Sequence, residues 1–288
     1  MKQVQEFLEQ IDGLRVHLRP VDEGHLKYLS VVLMVIDHIA CMFLERVYLP
    51  DGRPLMYSLS YGTTIDGILR AIGRQPFPIF CYFLVEGFMK TSSRGRYLLR
   101  LSIFAVLSQY PFQKSIFPRS ADFHGSVFCT LLIGMLSIWV IEAMGKIFLR
   151  NGRENEGPGA AGAAARENTG LFGPAGSTLN MCIFAFVSFS SVYGFARLAK
   201  LLHTDYSYGG VILIVLLYVF RDYRIPGLFI SWAWLTWYNR LELYSAPAFF
   251  LLAGYNGKRG KQHKYFFYFF YPAHLMILLL IRIHFFGA

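Results

Sequence analysis

"VVLMVIDHIACMFL", Val31 to Leu44, decides how the rest of the chain is read. It is apolar over nearly its whole length, the pattern of a helix that crosses a bilayer. Yet Asp37 and His38 stand side by side near its middle. An ionisable group at the centre of a span costs on the order of 3 kcal/mol or more unless it is paired or wet, so each one marks a candidate site. Neighbouring side chains on a helix point about 100° apart. Asp37 therefore cannot readily orient His38 and is expected to face a cation on another helix.

Composition supports the membrane reading. The 288 residues are 55% hydrophobic and only 16% charged, and the mean hydropathy is +0.39. Soluble domains carry about 25% charged residues, so a soluble chain of this kind would lack the polar surface to cover itself. About nine apolar spans are expected, near residues 27–45, 66–89, 97–113, 126–149, 178–201, 208–220, 226–239, 243–255 and 265–284. The fold expected is all-α, a polytopic integral membrane helical bundle in which the shorter spans are tilted or re-entrant. Residues 1–26 are polar with an amphipathic look and lack the apolar centre of a cleavable signal. They form an N-terminal segment ahead of one integral domain, 27–288. A Gly/Ala/Pro-rich loop at about 151–176 interrupts that domain.

The net charge is +10, but its placement does not suggest nucleic acid. With the N-terminus inside, the larger part of the 28 Lys and Arg falls on inner loops. The expected location is a cytoplasmic membrane crossed many times, with a cytoplasmic N-terminus. Cys41, Cys81, Cys129 and Cys182 are scattered through apolar runs with no CxxC pair. They read as small buried hydrophobes.

Other ionisable residues also fall within the spans. In "IDGILRAIGRQPFPIFCYFLVEGF", Asp66, Arg70 and Arg74 recur at steps of four, one helical stripe, and Pro76 and Pro78 break or bend the helix just after it. The two arginines suit a carboxylate or phosphate ligand. They equally suit neutralising Asp37, Asp66 and Glu86. His124 stands at the mouth of the fourth span and His274 lies in "YFFYFFYPAHLMILLL" beside Pro272. Lys258, Arg259 and Lys261 lie in the glycine-containing "YNGKRGKQHK". That stretch serves as a positive-inside anchor or as a cradle for the phosphates of a cytoplasmic donor. The Walker A, GxSxG and HExxH patterns are missing from the sequence, and no spacing supports a metal.

Together "LKYLSVVLMVIDHIA", "LRAIGRQPFPIFCYFLVEGF", "TDYSYGGVILIVLLYVF", "YNGKRGK" and "KYFFYFFYPAHL", in that order, resemble the TraX family of bacterial membrane proteins. The resemblance runs from about Leu26 to the C-terminus, omitting the Gly/Ala-rich loop. It implies transfer of an acetyl group from acetyl-CoA, as in N-terminal acetylation of conjugative pilin. It also implies a distant similarity to multi-pass acyltransferases that use a membrane-embedded histidine with arginines nearby. On matching positions it points to Asp37 and His38, to Arg70 and Arg74 with Glu86, and to His274.

The chain is thus expected to be a membrane acetyltransferase acting on an amine or hydroxyl of an unidentified envelope acceptor. His38 is the candidate base or nucleophile. One arginine would stabilise the oxyanion or grip a phosphate, and Glu86 would hold an arginine or shuttle a proton. Lys258, Arg259 and Lys261 would meet the acyl-CoA. The expected partners are that donor, the acceptor and the lipid bilayer, with no nucleic acid. The alternative is a proton-coupled secondary transporter, which also buries charges beside helix breaks.

Overall fold

The computed structural model describes residues 21–45, 65–118, 120–148 and 178–286. Residues 1–20 of the polar N-terminal segment, Arg46, Arg53 and the Gly/Ala-rich loop lie outside the described residues. Every regular element among those described is helical. The chain divides into two compact units, one of residues 1–83, 114–118 and 228–288, the other of residues 84–113 and 119–227.

In the first unit, α1 (Glu23–Ile39) starts on Asp22, whose side chain accepts from the His25 backbone N–H at 2.9 Å. The Glu23 carboxylate in the first turn suits the positive end of the helix. It also pairs with Lys27 one turn on, at 2.6 Å. The first span does not continue as a plain α-helix. Directly after Asp37 and His38 it widens into a π-helical turn, Ala40–Glu45. The Ala40 N–H is shared between the carbonyls of Asp37 and Ile36, a three-centre bond of the kind common at helix ends.

The expected second span is two helices, α2 (Ile65–Ile72) and α3 (Pro76–Lys90). Gly73 and Arg74 close α2 through bonds to the carbonyls of Leu69 and Ala71 at 2.9 and 3.2 Å. Pro76 then opens α3, since a missing N–H is harmless in the first turn of a helix. The break falls where the prolines placed it.

Later in this unit a 3₁₀ turn, Arg240–Ser245, is capped by the Asn239 side chain, which accepts from Leu241 N–H at 3.1 Å. It leads into the short α9 (Ala246–Ala253), and the chain ends in α10 (Lys264–Phe286), with Pro272 inside. The 3₁₀ turn packs on α2, and α10 packs on α1 and its π-turn. Arg282, 2% exposed, donates to the carbonyls of Ser115 and Lys114 at 2.9 and 3.2 Å. The Ser115 hydroxyl donates to the Leu275 carbonyl at 3.3 Å.

The second unit holds α4 (Arg94–Ile116) up to Gln113, then α5 (Val127–Phe148), α6 (Thr178–Leu201) and α7 (Ser207–Val219). The last three pack on one another pairwise. They approach closely at Gly134, where a Cβ would overlap Ile214. α8 (Arg224–Tyr238) follows, passing into the first unit after Gly227.

Four helical stretches among the described residues are long and apolar enough to cross a membrane: Glu23–Leu44, Val127–Phe148, Leu179–Leu201 and Tyr265–Phe285. The other expected spans fall short of that. α7 has 13 residues, α8 15 and α9 eight, against the ~20 that a straight crossing takes. α4 has the length, 23 residues, but Arg94, Arg96 and Arg100 crowd its first two turns. The four cysteines are unbridged, and only Cys41 and Cys81 are fully buried; Cys182 is exposed on α6.

Candidate functional site

The charges of the first unit converge on Asp37. Its carboxylate, 8% exposed, accepts from Arg70 at 2.6 Å and from Arg74 at 3.3 Å. The two arginines lie one turn apart, Arg70 within α2 and Arg74 in the turn that follows it, so both reach the same oxygen. The Arg74 Nε also donates to the Arg70 carbonyl at 3.3 Å. Gly73 is what lets α1 come so near, because a Cβ there would overlap the Asp37 side chain.

Arg74 reaches a second carboxylate that the sequence did not single out. Glu242, 1% exposed, lies 3.4 Å from it, presented by the 3₁₀ turn. Asp37, Arg70, Arg74 and Glu242 are thus linked in one largely buried network. Such a network repays its desolvation only through good mutual geometry, and removing one member leaves an uncompensated charge. Asp66, on the same stripe as Arg70, is also buried.

His38 stands outside this network. Its Nδ1 is 2.7 Å from Nε2 of His274 on α10. The ring planes are 14° apart with centroids 5.0 Å apart. The 2.7 Å between nitrogens plus one ring radius at each end accounts for that separation. The imidazoles therefore meet edge to edge in a near-common plane, the orientation in which a ring lone pair accepts a hydrogen. His274 is 5% exposed, stacks on Phe270 (5.0 Å, 13°) and meets the Tyr271 ring edge-on at 5.6 Å.

Lys258, Arg259 and Lys261 are exposed on a loop fastened to the start of α1. Asn256 N–H donates to the Val21 carbonyl and Glu23 N–H to the Lys258 carbonyl, each at 3.0 Å. Gly257 and Gly260 have φ of +77° and +64°, values that favour glycine, and Gly260 lies so close to Asp22 that a Cβ would overlap its carboxylate. The His25 amide N–H at the Asp22 carboxyl holds that group below its ordinary value of 3.8.

Glu86 belongs to the second unit, where it pairs with Lys90 one turn further along α3. His124 is also there. It bonds to Ser120 at 3.0 Å, while its backbone is held by the amides of Gln109 and Gln113. Those contacts secure a loop. Among the described residues no group of three or more His, Cys, Asp or Glu is placed to hold a metal ion.

The described chain is thus helical, with four helices long and apolar enough to cross a membrane and buried arginine–carboxylate and histidine pairs among its helices. The chain belongs to the TraX family: the family described as TraX protein matches residues 23–150 and 178–282. It is also 32% identical over 124 residues to a protein of Dichelobacter nodosus described as "Probable fimbrial assembly protein FimC, serogroup H1". That match covers 40% of this chain and 44% of the relative, so the chain spans less than half the length of the relative it matches. No solved structure matches the chain.

Proposed function

We propose that this chain is a multi-pass acetyltransferase of the bacterial cytoplasmic membrane. In this reading it moves an acetyl group from acetyl-CoA to an amine or hydroxyl of an envelope-associated acceptor, and its N-terminus is cytoplasmic. The observation that carries the reading is the separation of roles around Asp37 and His38. Asp37 is engaged by arginines, while His38, among the described residues, hydrogen-bonds through Nδ1 to another imidazole, which leaves Nε2 for proton transfer. The fimbrial description of the D. nodosus relative supports a pilus subunit as the acceptor.

The donor supplies an activated acyl carbonyl and a thiolate leaving group. His38 takes the proton from the acceptor nitrogen or oxygen as that atom bonds to the acyl carbon and the carbon–sulfur bond breaks. The same proton then passes to the departing sulfur. Arg70 and Arg74 place positive charge beside the site, where the carbonyl oxygen becomes anionic in the transition state. Asp37 and Glu242 fix the two guanidinium groups. The loop of Lys258, Arg259 and Lys261 fits the phosphates, since its cations are exposed and its backbone is clamped. It lies at the opposite end of α1 from His38, about 22 Å along the axis at 1.5 Å per residue. A donor whose phosphates and thioester are joined by a long flexible arm suits that separation.

The test is turnover of acetyl-CoA, read as free thiol, by the purified chain in detergent with a pilin N-terminal peptide or a glycan as acceptor. His38→Ala is expected to abolish turnover and Arg74→Ala to reduce it sharply. Unchanged rates in both would refute the scheme.

A further inference from the structure

Among the described residues Asp37 makes no hydrogen bond to His38; its Oδ1 accepts from Arg70 and Arg74. The orienting group is on the last helix. His274 Nδ1 lies 2.8 Å from the backbone carbonyl oxygen of Phe270, one turn earlier. A carbonyl oxygen only accepts, so His274 Nδ1 carries a hydrogen. In a neutral imidazole the other nitrogen is then bare, so His274 Nε2 accepts. Its partner at 2.7 Å is His38 Nδ1, which must be the donor. The remaining lone pair of His38 therefore lies on Nε2.

We infer that His274 is a positioning residue. It holds His38 in the Nδ1–H tautomer, so that the reacting nitrogen is Nε2, and the chain of constraint ends on the Phe270 carbonyl. The inference rests on the acyltransferase reading for its consequence, but not for its geometry. The direction of the bond is unchanged when His38 takes a proton. Nδ1–H still donates to His274 Nε2, and the bond becomes charge-assisted and stronger. His274 therefore favours the imidazolium that forms during transfer, the role a carboxylate fills in the Ser-His-Asp arrangement. The planar edge-to-edge meeting of the rings suits this role. So does the packing of His274 between Phe270 and Tyr271, which fixes its ring.

The test uses the full chain labelled with ¹⁵N-histidine in bilayers, with the His38 signals assigned by their loss in His38→Gln. The wild-type protein is expected to show His38 protonated on Nδ1 and bare on Nε2. His274→Phe keeps the ring volume but removes the acceptor, and should move His38 towards the Nε2–H tautomer. His274→Gln keeps an acceptor oxygen in reach and should preserve Nδ1–H. In the turnover assay kcat should fall by about 10²-fold or more in His274→Phe. His274→Gln should recover at least about tenfold of that, with the KM for acetyl-CoA unchanged in both.

An Nε2–H His38 in the wild type, a cationic His274, or a His38 tautomer indifferent to His274→Phe would overturn the inference whatever the activity. A His38 with the expected tautomer in a protein that turns over no acetyl-CoA would instead count against the acyltransferase reading alone. If His274→Phe fails to fold, the wild-type spectrum and His274→Gln still decide.

Discussion

Gly73 and Asp37 are in contact so close that the glycine has no room for a side chain: a Cβ on Gly73 would overlap Oδ1, Cβ and Cγ of Asp37. The neighbour is anchored, since the Asp37 carboxylate is bonded to two arginines. Gly73→Ala must therefore push α1 away from the turn after α2 and stretch the Arg70–Asp37 bond. A loss of about 1–3 kcal/mol is expected from the overlap, read as a lower apparent melting temperature in detergent. Gly194→Ala is the control. Gly194 is also helical, but a Cβ there meets nothing within 4 Å. It should be neutral or stabilising by up to about 1 kcal/mol.

The four-charge network should behave as one unit. Asp37→Asn removes the carboxylate that Arg70 and Arg74 share. Arg70→Gln removes the shortest bond in the set, at 2.6 Å. Each is expected to cost about 3–5 kcal/mol, the usual penalty for orphaning one member of a buried pair. The double variant should cost clearly less than the sum. Additive losses in a double-mutant cycle of thermal stability would show that the bond contributes nothing specific.

Glu242 gives a separate prediction. It meets Arg74 at 3.4 Å, so Glu242→Gln and Arg74→Gln should be strongly non-additive. Glu86→Gln should couple to neither, because Glu86 pairs locally with Lys90. It should change stability by less than about 1 kcal/mol, as expected for a half-exposed i,i+4 pair. Coupling of Glu86 to Arg74 in such a cycle would contradict this assignment.

The loop after α9 should govern donor affinity and not the chemical step. Gly260→Ala places a side chain at φ +64° and into the Asp22 carboxylate. It should raise the KM for acetyl-CoA several-fold at nearly constant kcat. Replacing Lys258, Arg259 and Lys261 together by Ala should do the same and flatten the dependence of KM on salt. A fall in kcat at constant KM would remove the loop from donor binding.

The clamp itself should be indifferent to pH near neutrality. Asp22 has a depressed pKa, so its contribution is complete above its unfolded value of about 3.8 and is lost as pH falls through the lower folded value. Protection of the His25 and Glu23 amides from exchange should be flat from pH 5 to about 8 and weaken only in strong acid. Loss of protection between pH 6 and 7 would mean that a different group holds the loop.

Much of this arrangement was legible in the sequence. The spacing of Arg70 and Arg74, the helix break before Pro76 and the need of Asp37 for a cation on another helix all follow from local periodicity and the cost of burying a charge. Glu86 was legible too. Lys90 four residues on is a partner that helical periodicity offers, and the two do pair. The number of crossings is not fixed by apolar runs alone, because runs such as 208–220 and 243–255 mark buried short helices as readily as spans.

What the sequence by itself determined was therefore a helical chain with charged residues in its apolar segments, and which of them share a helical face. Only the tertiary structure decided which groups meet. Glu242 lies just ahead of the expected span 243–255, and it becomes the second carboxylate of the site because a 3₁₀ turn carries it against α2. His38 and His274 are 236 positions apart, and no periodicity links them. Their bond exists because α10 packs on α1 just where the helix widens into its π-turn. Periodicity is imposed by the geometry of one helix, whereas the pairing of two helices depends on every packed surface between them, and that information is not local.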